Sequence, residues 1–131
     1  MPRPLALSEI DEFDYILESN REDEADEQTR FRIKGLTGRE RAQVRQALYG
    51  AADGAGAINL AEAYAASELA VAHGLKGWTN LQGKDKDGAL VDIKFPGNGR
   101  KAIQFLPEGV VQELAAEIMA KSELSEEDRG N

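Results

Sequence analysis

The chain of 131 residues contains no cysteine and a single histidine, His73. The absence of cysteine excludes disulfide bonds, thiol catalysis and cysteine-ligated zinc sites. His73 has no second histidine or cysteine with which to hold a metal, and a general base normally needs a positioned partner. Because it stands at the end of a predicted helix, just before Gly74, we interpret His73 as a helix-end or packing residue rather than a catalytic one.

Long apolar runs are also absent. No stretch approaches the ~20 residues needed to span a bilayer, and no signal-peptide pattern opens the chain. Hydrophobic residues make up 41% and charged residues 31% of the sequence, which is typical of a soluble globular protein with a modest core. We therefore expect one folded domain and no membrane partner.

Acidic and basic residues are separated along the chain, whose net charge is −8. Residues 1–28 carry ten acids and two bases, whereas residues 29–50 carry six bases and one acid. This pattern predicts an acidic N-terminal arm (1–28), a single domain (29–122) and an acidic C-terminal tail (123–131). The arm is either a solvated tail or a partner of the basic segment, in the same molecule or in a neighbour. The net charge argues against direct nucleic-acid binding.

The arm has an apolar pattern of its own. Apolar residues recur at helical spacing over residues 5–17, which predicts a short helix or irregular anchor that docks through Phe13 and Ile16. The polar, strongly acidic stretch over residues 18–28 predicts a mobile loop.

Residues 29–36 alternate charged and apolar side chains, which predicts a half-buried strand with one basic face. Thr37 and Glu40 match a capping box, so a helix should begin there and end at Gly50. The basic residues of this segment are Arg30, Arg32, Lys34, Arg39, Arg41 and Arg45. They either contact DNA phosphates or, as we favour, form ion pairs within or between molecules.

A glycine-alanine hinge over residues 51–57 separates this helix from an alanine-rich one over residues 60–73, with Gly74 as its C-cap. Tyr64 is among the few bulky side chains of the second helix. Its many alanines allow close approach of another helix, from the same chain or from another subunit.

The only tryptophan, Trp78, opens a segment that predicts a strand or turn over residues 77–81, a hairpin turn at Asp87-Gly88 and a strand over residues 89–95. Alternation places Val91, Ile93 and Phe95 on the face expected to point to the core. Trp78 is interpreted as a packing anchor, with an interface contact as the alternative.

The remaining sequence predicts a short strand over residues 102–106 and a final amphipathic helix that begins at Pro107 and frays over residues 122–131. Residues 85–88 lack the spacing of a calcium loop, and residues 97–101 are predicted to join two strands rather than to open a helix as a phosphate-binding loop does. We therefore predict no cofactor, no metal and no enzymatic activity. The predicted fold class is α+β, with a small antiparallel sheet or hairpin packed against three to four helices.

Three segments together resemble a known family. TRFRIKGLTGRERAQV, HGLKGWTNLQGKDKDGALVDIKF and LPEGVVQELAAEIMAKSELSEED are similar to stretches of small morphogenesis proteins of tailed double-stranded DNA phages, among them tail-assembly chaperones. The resemblance covers most of residues 29–128 and implies a non-enzymatic assembly protein that binds phage structural proteins in the host cytoplasm. A permanent neck, tail or capsid component retained in the virion is an alternative.

Two further alternatives come from the residues themselves. An acidic phage protein can inhibit a host nucleic-acid-binding protein by mimicking phosphate charge, and a small enzyme would have to rely on His73 and scattered carboxylates. We favour protein-protein contacts, with homo-oligomerisation as one form of them. The candidate contact residues are Phe13, Ile16, Arg30, Arg32, Arg39, Arg41, Tyr64 and Trp78.

Overall fold

The computed structural model describes residues 12–51 and 60–130, which contain both helices and antiparallel strands. The strands are β1 (Glu12–Tyr15), β2 (Arg30–Lys34), β3 (Leu75–Thr79), β4 (Gln82–Lys84) and β5 (Leu90–Asp92). The helices are α1 (Gly38–Ala51), α2 (Leu60–Gly74), α3 (Gly99–Ala102) and α4 (Glu108–Gly130), with 3-10 turns at Glu18–Asn20, Ala25–Glu27 and Ile103–Phe105. The predicted α+β class is confirmed.

A three-stranded antiparallel sheet in the order β1-β2-β3 forms one wall of the core. Phe31 and Ile33 of β2 are fully buried, whereas Arg30 and Arg32 lie on the solvent face. This alternation is the one that the sequence predicts, because successive strand residues point to opposite faces. The sheet therefore has one apolar face for the helices and one charged face.

Helix α2 lies at the centre of the helical layer and packs against α1, α3 and α4. It leads directly into β3, so Gly74 is the last helical residue rather than a cap outside the helix. A Cβ at Gly74 would lie 2.6 Å from Cγ2 of Ile118 and 2.9 Å from the carbonyl oxygen of Lys34. The absence of a side chain at Gly74 lets α2, α4 and β2 meet closely.

Helices α1 and α4 begin where the sequence predicts. The Thr37 backbone N–H donates to Oε1 of Glu40 (2.9 Å), and the Glu40 N–H donates to Oγ1 of Thr37 (3.2 Å), which confirms the capping box. Helix α4 begins directly after Pro107. It continues to Gly130, so the predicted fraying from residue 122 onward is replaced by helix in the structure.

Strands β4 and β5 form a separate two-stranded sheet. The turn between them is held by Oδ1 of Asp85, which accepts hydrogen bonds from the backbone N–H groups of Asp87 (2.9 Å) and Ala89 (3.0 Å). Gly88 has a φ of 81°, a left-handed conformation that glycine adopts readily. The predicted hairpin turn at Asp87-Gly88 is confirmed.

Three predicted segments differ from the structure. Residues 12–15 form a strand rather than a helix, because β2 supplies an antiparallel partner for them. The predicted loop over residues 18–28 contains two 3-10 turns, and Asn80 Nδ2 donates to the Asp26 carbonyl oxygen (2.8 Å). The predicted strand over residues 102–106, with the strand-joining loop predicted before it at residues 97–101, is wrong. Asn98 Oδ1 accepts from the Lys101 N–H (2.9 Å) and caps α3, which begins at Gly99.

Parts of other predictions lie outside the described residues, namely residues 5–11 of the first predicted helix and residues 52–57 of the glycine-alanine hinge. The division of the chain into arm, domain and tail stays a prediction. Its first boundary is crossed by the main sheet, since β1 lies before residue 28 and pairs with β2.

Candidate interaction surfaces

Trp78 is the anchor that joins the two sheets. Its side chain is 8% exposed, and its Nε1–H donates to the carbonyl oxygen of Ile93 at 2.7 Å. The ring makes edge-to-face contacts with Phe31, Phe95 and Phe105 at centroid distances of 6.2, 5.0 and 6.5 Å. Such contacts stabilise aromatic clusters beyond simple burial. This environment agrees with the packing interpretation of Trp78.

Residues 82–92, which we name the hairpin arm, extend from this anchor. The arm is joined to the body at its base, where the Ile93 N–H donates to the Leu81 carbonyl oxygen (2.8 Å). Leu90 is 63% exposed and Val91 is 44% exposed. Because neighbouring strand residues point to opposite faces, the arm presents an apolar side chain on each face of β5.

The outward orientation of Val91 corrects its predicted place in the core. Ile93 and Phe95, which share its predicted face, are half-buried against the body. All three residues of β5 (Leu90–Asp92) are exposed, Val91 among them. A two-stranded hairpin is marginally stable alone, and the two exposed apolar residues of this one lie on opposite faces of β5.

The solvent face of the main sheet carries the predicted pairing between acidic arm and basic segment. Nε of Arg32 lies 2.8 Å from Oε2 of Glu12, and its guanidinium is 3.7 Å from Oδ1 of Asp14. The hydrogen bond and charge of Glu12 raise the pKa of Arg32 above its usual value. The ion pairing therefore occurs within one molecule at this position.

On the opposite side of β1, Glu113 of α4 fixes the strand to the helical layer. Its Oε2 accepts hydrogen bonds from the Tyr15 hydroxyl (2.7 Å) and from the Glu18 N–H (3.0 Å). Burial, followed by the hydrogen bond and charge of Glu113, raises the pKa of Tyr15 to about 12. Nζ of Lys121 lies 4.8 Å from the centre of the Phe13 ring, a cation-π contact.

An open cleft of about 390 Å³ lies between α2 and the segment that contains α3. Tyr64 and Glu68 border it from α2, and Arg100 and Gln104 border it from the other side. Burial raises the pKa of Tyr64, and the nearby charges of Glu68 and Glu108 raise it further. The Tyr64 hydroxyl therefore stays protonated at neutral pH and can donate a hydrogen bond.

A second depression, which we name the helix groove, lies where α1 and α4 both pack on α2 and has a volume of about 180 Å³. Its lining residues share one property, since none carries a charge. They are Val44, Leu48, Ala66, Ser67, Ala70, Gln112, Ala115, Ala116 and Met119. In a chain with 31% charged residues, an uncharged groove flanked by two helices is suited to an apolar partner group.

The residues predicted to contact a partner are spread over several surfaces. Trp78 and Arg41, which is 5% exposed, are buried and offer little area to another molecule. Phe13 lies on β1 beneath Lys121, and Ile16 is half-buried just after that strand. Phe13 is 36% exposed, so part of its ring remains accessible.

The other candidates are at least partly accessible. Arg30 and Arg32 lie on the solvent face of the main sheet, and Arg39 is exposed in the first turn of α1. Tyr64 borders the cleft beside α2. Arg30 and Arg32 border one depression of about 300 Å³ together with Trp78, whereas Arg39 and Tyr64 do not line it. The structure adds Leu90 and the helix groove, which the sequence does not single out.

His73 links two helices. Its Nδ1 lies 3.2 Å from Oε2 of Glu40, and its Nε2 lies 3.0 Å from Oε1 of Gln43. His73 thereby connects the end of α2 to the first turns of α1. Over residues 12–51 and 60–130, no group of three or more histidine, aspartate or glutamate side chains is placed to hold a metal ion.

Searches for relatives gave no match among protein-family models, curated proteins or solved structures. None of the helices in the described part of the chain is both long and apolar enough to cross a bilayer.

Proposed function

We propose that the chain is a non-enzymatic assembly protein that binds other proteins through its hairpin arm. The observation that carries this proposal is the exposure of Leu90 (63%) and Val91 (44%) on a two-stranded sheet that is joined to the body at its base. Covering these side chains would remove apolar area from water, which favours association by about 25 cal/mol per Å² before the entropic costs of binding. A partner would also stiffen a hairpin that is marginal alone.

The resemblance of residues 29–128 to small phage morphogenesis proteins supplies the biological setting of the proposal. In that setting the partner is a phage structural protein, and binding takes place in the host cytoplasm during particle assembly. The protein is then either released, as a chaperone is, or retained in the virion. Mass spectrometry of purified particles distinguishes these two outcomes.

The proposal is tested by a hairpin variant in the phage or prophage that encodes the chain. Leu90→Ser combined with Val91→Ser removes both exposed apolar side chains without touching the core. We expect the yield of infective particles to fall at least about tenfold, which corresponds to about 1.4 kcal/mol of lost binding. Electron microscopy should show incomplete particles.

The matched control is Leu60→Ser, which removes an apolar side chain that is 82% exposed at the start of α2. This variant should leave the particle yield unchanged. Circular dichroism should show that both variants are folded. Normal particle yield with the folded hairpin variant would contradict the proposed function, as would a gene neighbourhood without head or tail genes.

A further inference from the structure

We infer that the cleft between α2 and the segment that contains α3 binds a small zwitterion, an apolar molecule with an ammonium group at one end and a carboxylate at the other. Glu68 binds the ammonium group and Arg100 binds the carboxylate. The volume of about 390 Å³ lies in the range of ~300–1,000 Å³ that is usual for small-molecule sites. None of the residues that line the cleft belongs to the hairpin arm, so ligand binding here is independent of the proposed function.

Glu68 is a half-buried acid that lacks a partner. Over residues 12–49 and 60–122, four acidic residues are half-buried, namely Glu40, Glu68, Glu113 and Glu117. The other three each have a hydrogen-bond or ion-pair partner at 3.7 Å or less. Glu68 has neither a hydrogen bond nor an ion pair within the described residues. Because a partly desolvated charge is unfavourable without a partner, this carboxylate is suited to bind a cationic group.

Arg100 supplies the opposite charge from the other wall of the cleft. It too has no acidic partner over residues 12–51 and 60–130. No ion pair joins Arg100 to Glu68, so their charged atoms lie more than 4.0 Å apart. A guanidinium group binds a carboxylate through two parallel N–H donors. One molecule that carries both charges can therefore pair with both side chains at once.

The packing of α3 on α2 determines the spacing of the two charges. Gly99 approaches α2 so closely that a Cβ there would lie 2.7 Å from the carbonyl oxygen of Ala72, which places Arg100 beside Ala72. Glu68 precedes Ala72 by four residues, or about 6 Å along the helix at 1.5 Å per residue. The ends of an extended dipeptide are about 7 Å apart, at ~3.3–3.6 Å per residue. The spacing therefore matches the two termini of a dipeptide.

The rest of the cleft determines the body and the direction of the ligand. Leu69 and Ile103 line it from opposite walls, where they can contact apolar side chains of the ligand. Burial raises the pKa of Tyr64, and the charges of Glu68 and Glu108 raise it further, so this end of the cleft is electronegative. The Tyr64 ring can also attract a cation through its face. The ligand therefore binds with its ammonium group toward Tyr64.

Titration calorimetry on the full-length protein tests the site with three matched ligands. The dipeptide leucylleucine carries both charges, its N-acetyl form lacks the ammonium group, and its C-terminal amide lacks the carboxylate. We expect leucylleucine to bind at least about tenfold more tightly than either capped form, since each capped form loses one charged contact. Absence of leucylleucine binding, or equal binding of the three ligands, would overturn the inference.

Two variants assign the ends of the ligand to their side chains. In Glu68→Gln, acetylation of the dipeptide should no longer weaken binding, whereas amidation should still do so; Arg100→Gln should show the reverse. Lys101→Gln is the control, because Lys101 is exposed next to Arg100 but does not line the cleft, and it should keep the wild-type pattern. Circular dichroism should show that all three are folded. If acetylation weakens binding as much in Glu68→Gln as in the wild type, Glu68 does not bind the ammonium group.

The cleft and the hairpin arm can be tested apart. The variant that combines Leu90→Ser with Val91→Ser should bind leucylleucine as the wild type does, because neither residue lines the cleft. Weaker binding by this variant, when folded, would contradict a site that is independent of the arm. Normal dipeptide binding together with normal particle yield would instead contradict the assembly function and leave the ligand site in place.

Discussion

The two sheets of this protein share antiparallel pairing but differ in what covers them. In the main sheet, Phe31 and Ile33 are fully buried beneath the helices. In the hairpin arm, Leu90 and Val91 face solvent on both sides of the strand. The apolar residues of the main sheet stabilise the fold, whereas those of the arm are available for binding. Strand pairing alone therefore does not reveal which role a sheet has.

The largest contrast between the sheets should appear when one apolar side chain is shortened in each. Ile33→Ala leaves a cavity in a fully buried site and should lower the free energy of unfolding by about 2–5 kcal/mol. Val91→Ala on the exposed arm should change it by less than about 0.5 kcal/mol. Urea denaturation measures both values. Similar losses in the two variants would show that the arm is part of the core.

The close contact beneath the main sheet is tested at Gly74. A Cβ there meets Ile118 and the backbone of Lys34 within 3 Å, so Gly74→Ala should destabilise the fold by about 1–3 kcal/mol. Gly109→Ala in α4 is the control, because a Cβ at that position has no neighbour within 4 Å. It should be neutral or slightly stabilising, since alanine favours helix. Thermal unfolding gives both shifts.

The connection between the sheets depends on the indole nitrogen of Trp78. Trp78→Phe keeps an aromatic ring but removes the hydrogen bond to Ile93, at an expected cost of about 1 kcal/mol. Hydrogen exchange should increase most over residues 82–92 and least in β2. An even increase over both sheets would mean that Trp78 supports the fold as a whole rather than the arm.

The last effect is confined to high pH and should come from the edge of the main sheet. The folded-state pKa of Tyr15 is raised to about 12 from the usual 10, so its contribution to stability is complete below pH 10. That contribution is lost as pH rises through about 12, because the phenolate next to Glu113 is unfavourable. Tyr15→Phe should remove this dependence between pH 10 and 12, as measured by urea denaturation. An unchanged pH profile in the variant would assign the loss to other groups.

Local chemistry made much of the main sheet and its helices predictable. The alternation in β2, the Thr37 and Glu40 capping box and the Asp87-Gly88 turn all involve residues that are close in sequence. Strand β1 was missed because its stability depends on distant partners, namely Arg32 and Glu113. Its apolar residues also fit a helical spacing, and a spacing alone does not reveal a partner strand.

The candidate surfaces were less predictable than the fold. Val91 alternates with its neighbours as the residues of β2 do, but alternation does not say whether anything covers the resulting face. The helix groove depends on the separation of α1 and α4 over α2, which involves contacts between residues far apart in the chain. The one available signal was the alanine content of α2, from which close helix packing was predicted.

The direct junction between α2 and β3 has a mechanical consequence. Ala70 in the groove and Trp78 at the root of the arm lie on one continuous stretch of helix and strand, with no loop to absorb movement between them. The eight residue steps from Ala70 to Trp78 cover about 20 Å along the chain, at 1.5 Å per helical residue and 3.3 Å per strand residue. Because no loop separates α2 from β3, a shift of α2 along its axis would carry the root of the hairpin arm with it.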